Sequence, residues 1–292
     1  MKIVVTHASP DMDAITSVWL IKKFLSGWEN AVVEFVPAGE RLRGVNQELR
    51  IKNQGGDAIE RIGEDDVIHV DTGLGPLDHH QTASDKVCAA SLCFDYVVAN
   101  IPENRREAVE RMVKVIVDID HFKKVFRKDP LADYHEFDLT GILDGLKLQF
   151  PGQDDYYCEF IIKCLDAVLH EFENRIWAEK EIAENGKKFE TRFGKGIGLE
   201  TINDSVVKLA QEMGYAIAVR KDPRKGYVRI KVRPDSKIDL TLACEKFSKI
   251  DPDATWYLHI SKKMLLNGSV KNPKMRPTKL GIEEIIKVLE KI

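Results

Sequence analysis

The chain lacks the features that would settle its class at once. Its five cysteines among 292 residues are an odd number with no metal-type spacing, and Cys88, Cys93, Cys158, Cys164 and Cys244 sit within apolar runs. They read as buried free thiols rather than disulfides or a zinc site. No apolar run approaches the length that spans a bilayer, and Lys2 with a short strand leaves no room for a signal-peptide core. A cytoplasmic protein with no membrane partner is expected, so the sequons at Asn203 and Asn267 carry no weight. Strong charge of either sign is also missing: the net charge is −3 and mean hydropathy −0.27. That excludes wholesale coating of a polyanion while permitting a local basic groove. Gly194-Lys195-Gly196 lacks the spacing of a P-loop, no Gly-x-Ser-x-Gly elbow occurs, and no glycine-rich dinucleotide fingerprint follows the first strand. No internal repeat or low-complexity tract is present.

What remains is an ordinary globular composition with 31% charged residues and room for one large or two medium cores. Near the N-terminus, the β-branched run Ile3-Val4-Val5 leads into Thr6-His7-Ala8-Ser9-Pro10-Asp11-Met12-Asp13. A helical pattern from Ala14 to Phe24 follows. A histidine and two aspartates thus sit in a strand-to-helix turn, where open α/β sheets place their ligands. Alone, this stretch fits a cation-binding loop and an ordinary turn with Asp11 or Asp13 as helix N-cap equally well.

Further along, Ala31 to Pro37 reads as a second strand, Glu40 to Gly56 is polar and ambiguous, and Ala58 to Ile62 suggests a short helix. Asp66 to Gly73 repeats the first pattern, a β-branched strand ending in Asp71 and a glycine turn, and Asp78-His79-His80 follows. Strands alternating with helices predict an α/β fold with a parallel sheet and helices on both faces. Ala89 to Val98 reads as a helix. A clearer helix, Arg105 to Asp120, places Val109, Met112, Val113, Ile116 and Asp120 on one stripe and Glu107, Glu110, Arg111, Lys114 and Asp118 on the other. An unpaired carboxylate on the apolar stripe costs several kcal/mol, so Asp120 needs a partner, and a metal ion would serve.

From Tyr156 to Phe189 runs a long amphipathic helix, broken near Gly186, and Gly194 to Gly198 reads as a flexible joint. The rest resembles a compact βαββα pattern: a strand at Ile197 to Ile202, a helix at Asp204 to Met213, and a strand at Tyr215 to Arg220. A turn at Asp222 to Gly226 and a strand at Tyr227 to Val232 follow, then a helix at Leu240 to Phe247, a strand at Trp256 to Ile260 and a helix at Ile282 to Leu289. The expected domains are 1–190, including the long linker helix, and a smaller α+β domain, 191–292.

His7-x-x-x-Asp11-x-Asp13, then Asp71, then Asp78-His79-His80, then Asp118 or Asp120, stand in the order and spacing of the four motifs of the DHH phosphoesterase superfamily. The resemblance covers roughly residues 1–125. It implies a two-metal site, usually Mn²⁺ with Mg²⁺ as second choice. His7 and Asp11 would hold one ion, Asp13, His79 and Asp120 the other, and Asp71 would bridge them. Asp78 would orient His79, and His80 would face the substrate phosphate. Asp78-His79-His80-Gln81 resembles the Myg-type branch, linked to RNA exonuclease activity. Residues 228–240 resemble loosely the strand and helix of the associated DHHA1 domain, without its Gly-Gly-His loop, and imply substrate contacts from Arg233, His259 and Lys262. Basic residues gather on the same half at Lys221, Arg224, Lys225, Arg229, Lys231, Lys263, Lys271, Lys274 and Arg276.

Two divalent ions would activate a water and neutralise phosphate charge, and a donor set of carboxylates and imidazoles without thiolate suits Mn²⁺ or Mg²⁺. The expectation is a metal-dependent phosphoesterase acting on a nucleotide or short oligonucleotide, with room for a homodimer. A pyrophosphatase-like hydrolase and a non-catalytic nucleotide- or RNA-binding module are the alternatives.

Overall fold

The computed structural model describes residues 1–42, 58–269, 272 and 274–292. The ambiguous stretch between Glu40 and Gly56 falls mostly outside these residues, and Lys271 lies outside them as well. The fold is mixed α/β, and the chain divides into two compact units, Met1–Glu173 and Asn174–Ile292. This division falls N-terminal to residue 190, within a single long helix.

In the first unit, β1 (Lys2–His7) lies between two parallel neighbours, β2 (Val32–Val36) and β4 (Asp65–His69). The fourth strand, β3 (Ile59–Ile62), is antiparallel to β4, giving the order β2-β1-β4-β3. The sheet is therefore mixed rather than parallel, and Ala58 to Ile62 is not a helix. Gly63, at φ +63, opens a two-residue turn with Glu64 that folds this short segment back onto β4. One face of the sheet, Ile3, Val5, Val36 and Val67, is packed by Leu42 and Ile62 rather than by a helix among the described residues.

Helix α1 (Met12–Phe24) is buried along almost its whole length and packs against β1, α2 (Ala89–Val97) and α3 (Glu103–Asp120). The apolar stripe read from the sequence is the buried one, with Val109, Met112, Val113 and Ile116 in the core. After α3 come short 3-10 turns at Lys123–Phe126 and Asp133–Phe137, then α4 (Leu139–Gln149) and α5 (Asp154–Asn185). Asp166 of α5 accepts from Trp19 Nε1 at 3.0 Å and from Lys23 Nζ at 2.6 Å, fixing α1.

The second unit carries a six-stranded sheet in the order β5-β6-β7-β8-β10-β9. Its strands are β5 (Lys187–Thr191), β6 (Gly194–Glu200), β7 (Ile217–Lys221), β8 (Val228–Val232), β9 (Tyr257–Leu258) and β10 (Met264–Asn267). The helices are α6 (Ser205–Glu212), α7 (Thr241–Ile250) and α8 (Ile282–Leu289). Alternation along β7 sends Ile217 and Val219 into one core with Phe247 and Ile285, and Ala218 into another with Ala178 and Val206.

Gly194 to Gly198 is no joint but part of β6. A Cβ on Gly196 would stand 2.3 Å from the Phe189 ring, and one on Gly198 would stand 2.9 Å from Ile286, so the glycines make room for side chains distant in sequence. Gly196→Ala is accordingly expected to destabilise the protein by about 1–3 kcal/mol through overpacking, read from urea denaturation. All five cysteines are free, with Cys88, Cys93 and Cys158 buried. Among the described residues no helix is long and apolar enough to cross a membrane.

Candidate metal centre

The site is assembled at the carboxyl ends of β1 and β4. His7 ends β1, and its Nδ1–H can donate to the Ala8 carbonyl at 2.9 Å, which turns Nε2 toward Asp71 Oδ2 at 3.4 Å. The turn that follows is pinned from outside: Ser9 N–H donates to Asp154 at 3.0 Å, and Lys147 donates to the Ser9 carbonyl at 3.0 Å. Asp11 is indeed the N-cap of α1, its Oδ1 accepting from Ala14 N–H at 3.0 Å. Capping uses one oxygen and leaves the other, so the cap does not preclude a ligand role. Asp13 points elsewhere, its carboxylate accepting from Ala89 and Ala90 N–H at 2.7 Å each. These donors are at the first turn of α2, where a carboxylate is favoured.

Asp71 lies just beyond β4 with φ +52, a left-handed conformation that a non-glycine residue adopts only when its surroundings enforce it. Here the Asp71 N–H donates to the Leu77 carbonyl at 3.0 Å, Arg41 donates to the Gly73 carbonyl at 2.6 Å, and Thr72 Oγ1 donates to the Glu40 carbonyl at 3.0 Å. Arg41 is itself paired with Glu60, which also faces the buried His69 at 3.5 Å. This supporting set was not visible in the sequence, since its members meet only through strand pairing.

Two donor groups with no residue in common result, each with ligand atoms within 4.8 Å of one another: His7, Asp11 and Asp71, and Asp13, His79 and Asp120; Asp71, His79 and His80 form a third that shares a member with each. His79 Nε2 is 3.7 Å from Asp13, 3.9 Å from Asp120 and 3.5 Å from Asp71 Oδ1. Asp71 therefore turns one oxygen toward each group. Its Oδ1 is buried without a hydrogen-bond partner, an arrangement that a cation would complete. Of the two aspartates ending α3, Asp120 is 14% exposed and faces His79, whereas Asp118 is 55% exposed and pairs with Lys123 at 3.1 Å. His121, which the sequence reading passed over, places Nε2 3.6 Å from Asp120. Its only sequence signal is adjacency to that aspartate.

Electrostatics reflect this crowding. Burial pushes Asp71 up to about 6, with Asp13 and Asp11 adding to it against the hydrogen bond from His7. Burial likewise raises Asp13 to about 6, opposed by its hydrogen bonds from Cys88, Ala90 and Ala89, and burial raises Asp120 as well. Burial alone would lower His7, but Asp71, the Ala8 carbonyl and Asp11 together raise it to about 9. Burial pushes the Cys88 thiol far up, so no thiolate competes at neutral pH. Oxygen and imidazole donors, with the Asp71 Oδ1 left unsatisfied, fit hard or borderline divalent ions.

Asp78 does not orient His79 as the resemblance implied. Its Oδ1 meets His80 at both the ring Nδ1, 2.7 Å, and the backbone N–H, 3.1 Å, while Oδ2 accepts from Leu74 N–H at 2.7 Å. The half-exposed His80 ring is thus held at the rim, and the hydrogen bond to Asp78 raises its pKa. A cavity of about 430 Å³ opens over the group, lined by His7, Asp11, Asp71, His79, His80 and Asp120 among others. Asp78→Asn is expected to return the His80 pKa toward the ordinary imidazole range, read by NMR titration.

The three second-unit residues expected to meet substrate have local partners. Arg233 donates to both oxygens of Asp235, at 3.0 and 2.6 Å. His259 shares a turn with Ser261 and Lys262, and Lys262 pairs with Asp239 at 3.1 Å. Arg229 and the buried Arg220 share Asp204, so Arg229, Arg233 and Lys262 are the members of the basic set read from this half that carboxylates meet.

No protein-family model matches the chain, and no curated protein matches it. Among solved structures, an uncharacterized protein from Helicobacter pylori G27 is aligned over 100% of this chain and 99% of that chain, at 11% identity and a TM-score of 0.26. A likeness this slight carries no argument about fold or function.

Proposed function

We propose that the chain is a divalent-metal-dependent phosphoesterase that hydrolyses the phosphoester of a nucleotide or short oligonucleotide. The observation that carries this reading is the buried Asp71 carboxylate, with Oδ2 toward the His7 group and the unpartnered Oδ1 toward the His79 group. A carboxylate so placed is suited to bridging two ions. His7 and Asp11 would complete one ion's protein ligands, and Asp13, His79 and Asp120 the other's. Mn²⁺, or Mg²⁺ in its place, would acidify a water and neutralise charge on the phosphate when bound.

The chain's own residues supply the rest. The hydrogen bonds from the α2 N-terminus hold Asp13 in one rotamer, and Asp154 and Lys147 hold the turn that carries Asp11. His80, whose pKa Asp78 raises, stands at the cavity rim, where its imidazolium form would donate from Nε2 to a phosphate or leaving-group oxygen. Arg233, His259 and Lys262 remain proposed phosphate contacts, each of which would exchange its present partner for substrate.

The test pairs metal analysis with turnover on a panel of phosphodiesters, phosphomonoesters and pyrophosphate. Two ions per chain with Mn²⁺-dependent hydrolysis of a nucleotide ester is the expected result. Firm metal binding with no turnover on any member would overturn the catalytic reading, and turnover on pyrophosphate alone would overturn the assigned substrate.

A further inference from the structure

Immediately after Asp120 and His121 the chain reads Phe122-Lys123-Lys124-Val125-Phe126-Arg127-Lys128. Four cations fall within six residues of a chain whose net charge is −3. Phe122 is 66% and Phe126 83% exposed. Phe122 also holds φ +50, a conformation that an aromatic residue adopts at a cost, and this turns the chain into the 3-10 turn at Lys123–Phe126. Only His121 separates Phe122 from Asp120, so their Cα atoms lie within about 7 Å. A large apolar ring is thus left in solvent beside the candidate metal centre, with cations following it along the chain.

From this we infer that Phe122–Lys128 is a platform for a single-stranded oligonucleotide, on which bases stack against Phe122 and Phe126 while the flanking cations meet the phosphates. The inference rests on the phosphoester reading of the site and narrows its substrate to a strand of several nucleotides rather than a mononucleotide. The charges support a polyanion. Lys123 and Lys124 pair with exposed carboxylates, Asp118 at 3.1 Å and Glu136 at 3.5 Å, which phosphate can displace. Arg127 and Lys128 make no ion pair among the described residues.

The competing occupant is a second copy of the chain, because Leu131, Phe137 and Leu148 are also exposed nearby in sequence. Four cations within six residues, however, match a phosphate backbone rather than the apolar side chains of Leu131, Phe137 and Leu148 that such a copy would present.

The experiment measures fluorescence anisotropy of a fluorescein-labelled phosphorothioate oligoadenylate of about six nucleotides, which resists hydrolysis, with the full chain in Mg²⁺. Phe126→Ala is expected to weaken binding between about fivefold and about 150-fold, the range for loss of one stacked base. Replacing both Arg127 and Lys128 by alanine is expected to reduce the slope of log affinity against log salt by about 1.4. All three side chains are on the surface, and thermal melting checks that the variants fold. Absence of binding by the wild type, or unchanged affinity in both variants, overturns the inference. So does sedimentation in which Phe126→Ala converts a dimer to a monomer while strand affinity stays constant, which assigns the face to a second copy. Loss of phosphoester turnover across the whole panel with these anisotropy shifts intact would instead remove the catalytic reading and leave the platform standing.

Discussion

Asp71→Asn is expected to abolish phosphoester turnover, by at least about 10³-fold, while making the metal-free protein more stable. Outer partners of metal ligands cost about 10–100-fold when removed, and a residue that touches both donor groups must cost more. Asparagine keeps the shape but presents one oxygen and no charge, so it can serve only one side. The stability change has the opposite sign because Asp71 is buried, placed near Asp13 and Asp11, and held at about 6. Ionising it at neutral pH opposes folding on the order of 3 kcal/mol. The variant removes much of that penalty, and each kcal/mol is worth about 2–4 °C for a chain of this class. A higher metal-free Tm, a smaller Mn²⁺-induced rise in Tm, and lost turnover should therefore appear together. Full Mn²⁺-dependent turnover in the variant would sink the bridging role.

The same residue illustrates how much of the molecule was legible beforehand. A β-branched strand ending in a polar turn is a local signal, so the loops bearing His7, Asp11, Asp13 and Asp71 could be placed from sequence. Asp120 could be placed because helical periodicity assigned it to the buried stripe, where a carboxylate without a partner is costly. The periodicity also separated it correctly from Asp118 on the wet side. What failed was whatever depends on partners distant in sequence. Gly196 and Gly198 read as a hinge because nothing nearby announces that Phe189, Ile282 and Ile286 need their missing side chains. β3 read as helix because five residues are too few to fix a period, and its turn at Gly63 decided the matter. Arg41, Glu60 and His69 form their cluster only once β3 pairs with β4. Asp78 was given the wrong histidine, since which of two successive rings turns back to it depends on the course of the loop.

Metal affinity should rise steeply with pH, and its slope should change within the working range. In the metal-free protein Asp13 and Asp71 titrate near 6 and His7 near 9, all above their ordinary values. For groups raised in this way, the stabilisation is fully present below the unfolded-state pKa and is lost as pH rises through the folded one. The two carboxyls thus withdraw their contribution between about pH 4 and 6, and His7 withdraws its own between about 6.5 and 9. In the proposed site His7 and Asp71 would serve one ion and Asp13 and Asp71 the other, so filling both positions requires all three deprotonated and displaces whatever protons they hold. Between pH 6 and 9 the principal displaced proton is that of His7, and log affinity for Mn²⁺ should increase by about one per pH unit. Below pH 6 the two carboxyl protons join it, and the slope should approach about three. Calorimetric titration of the metal-free chain with Mn²⁺ from pH 5 to 8, in buffers of differing ionisation enthalpy, counts these protons directly. The Mn²⁺-induced rise in Tm should grow over the same interval, because more of the buried carboxyls are then ionised in the metal-free protein and the ion neutralises them. An affinity independent of pH across this range would mean that the ion binds elsewhere.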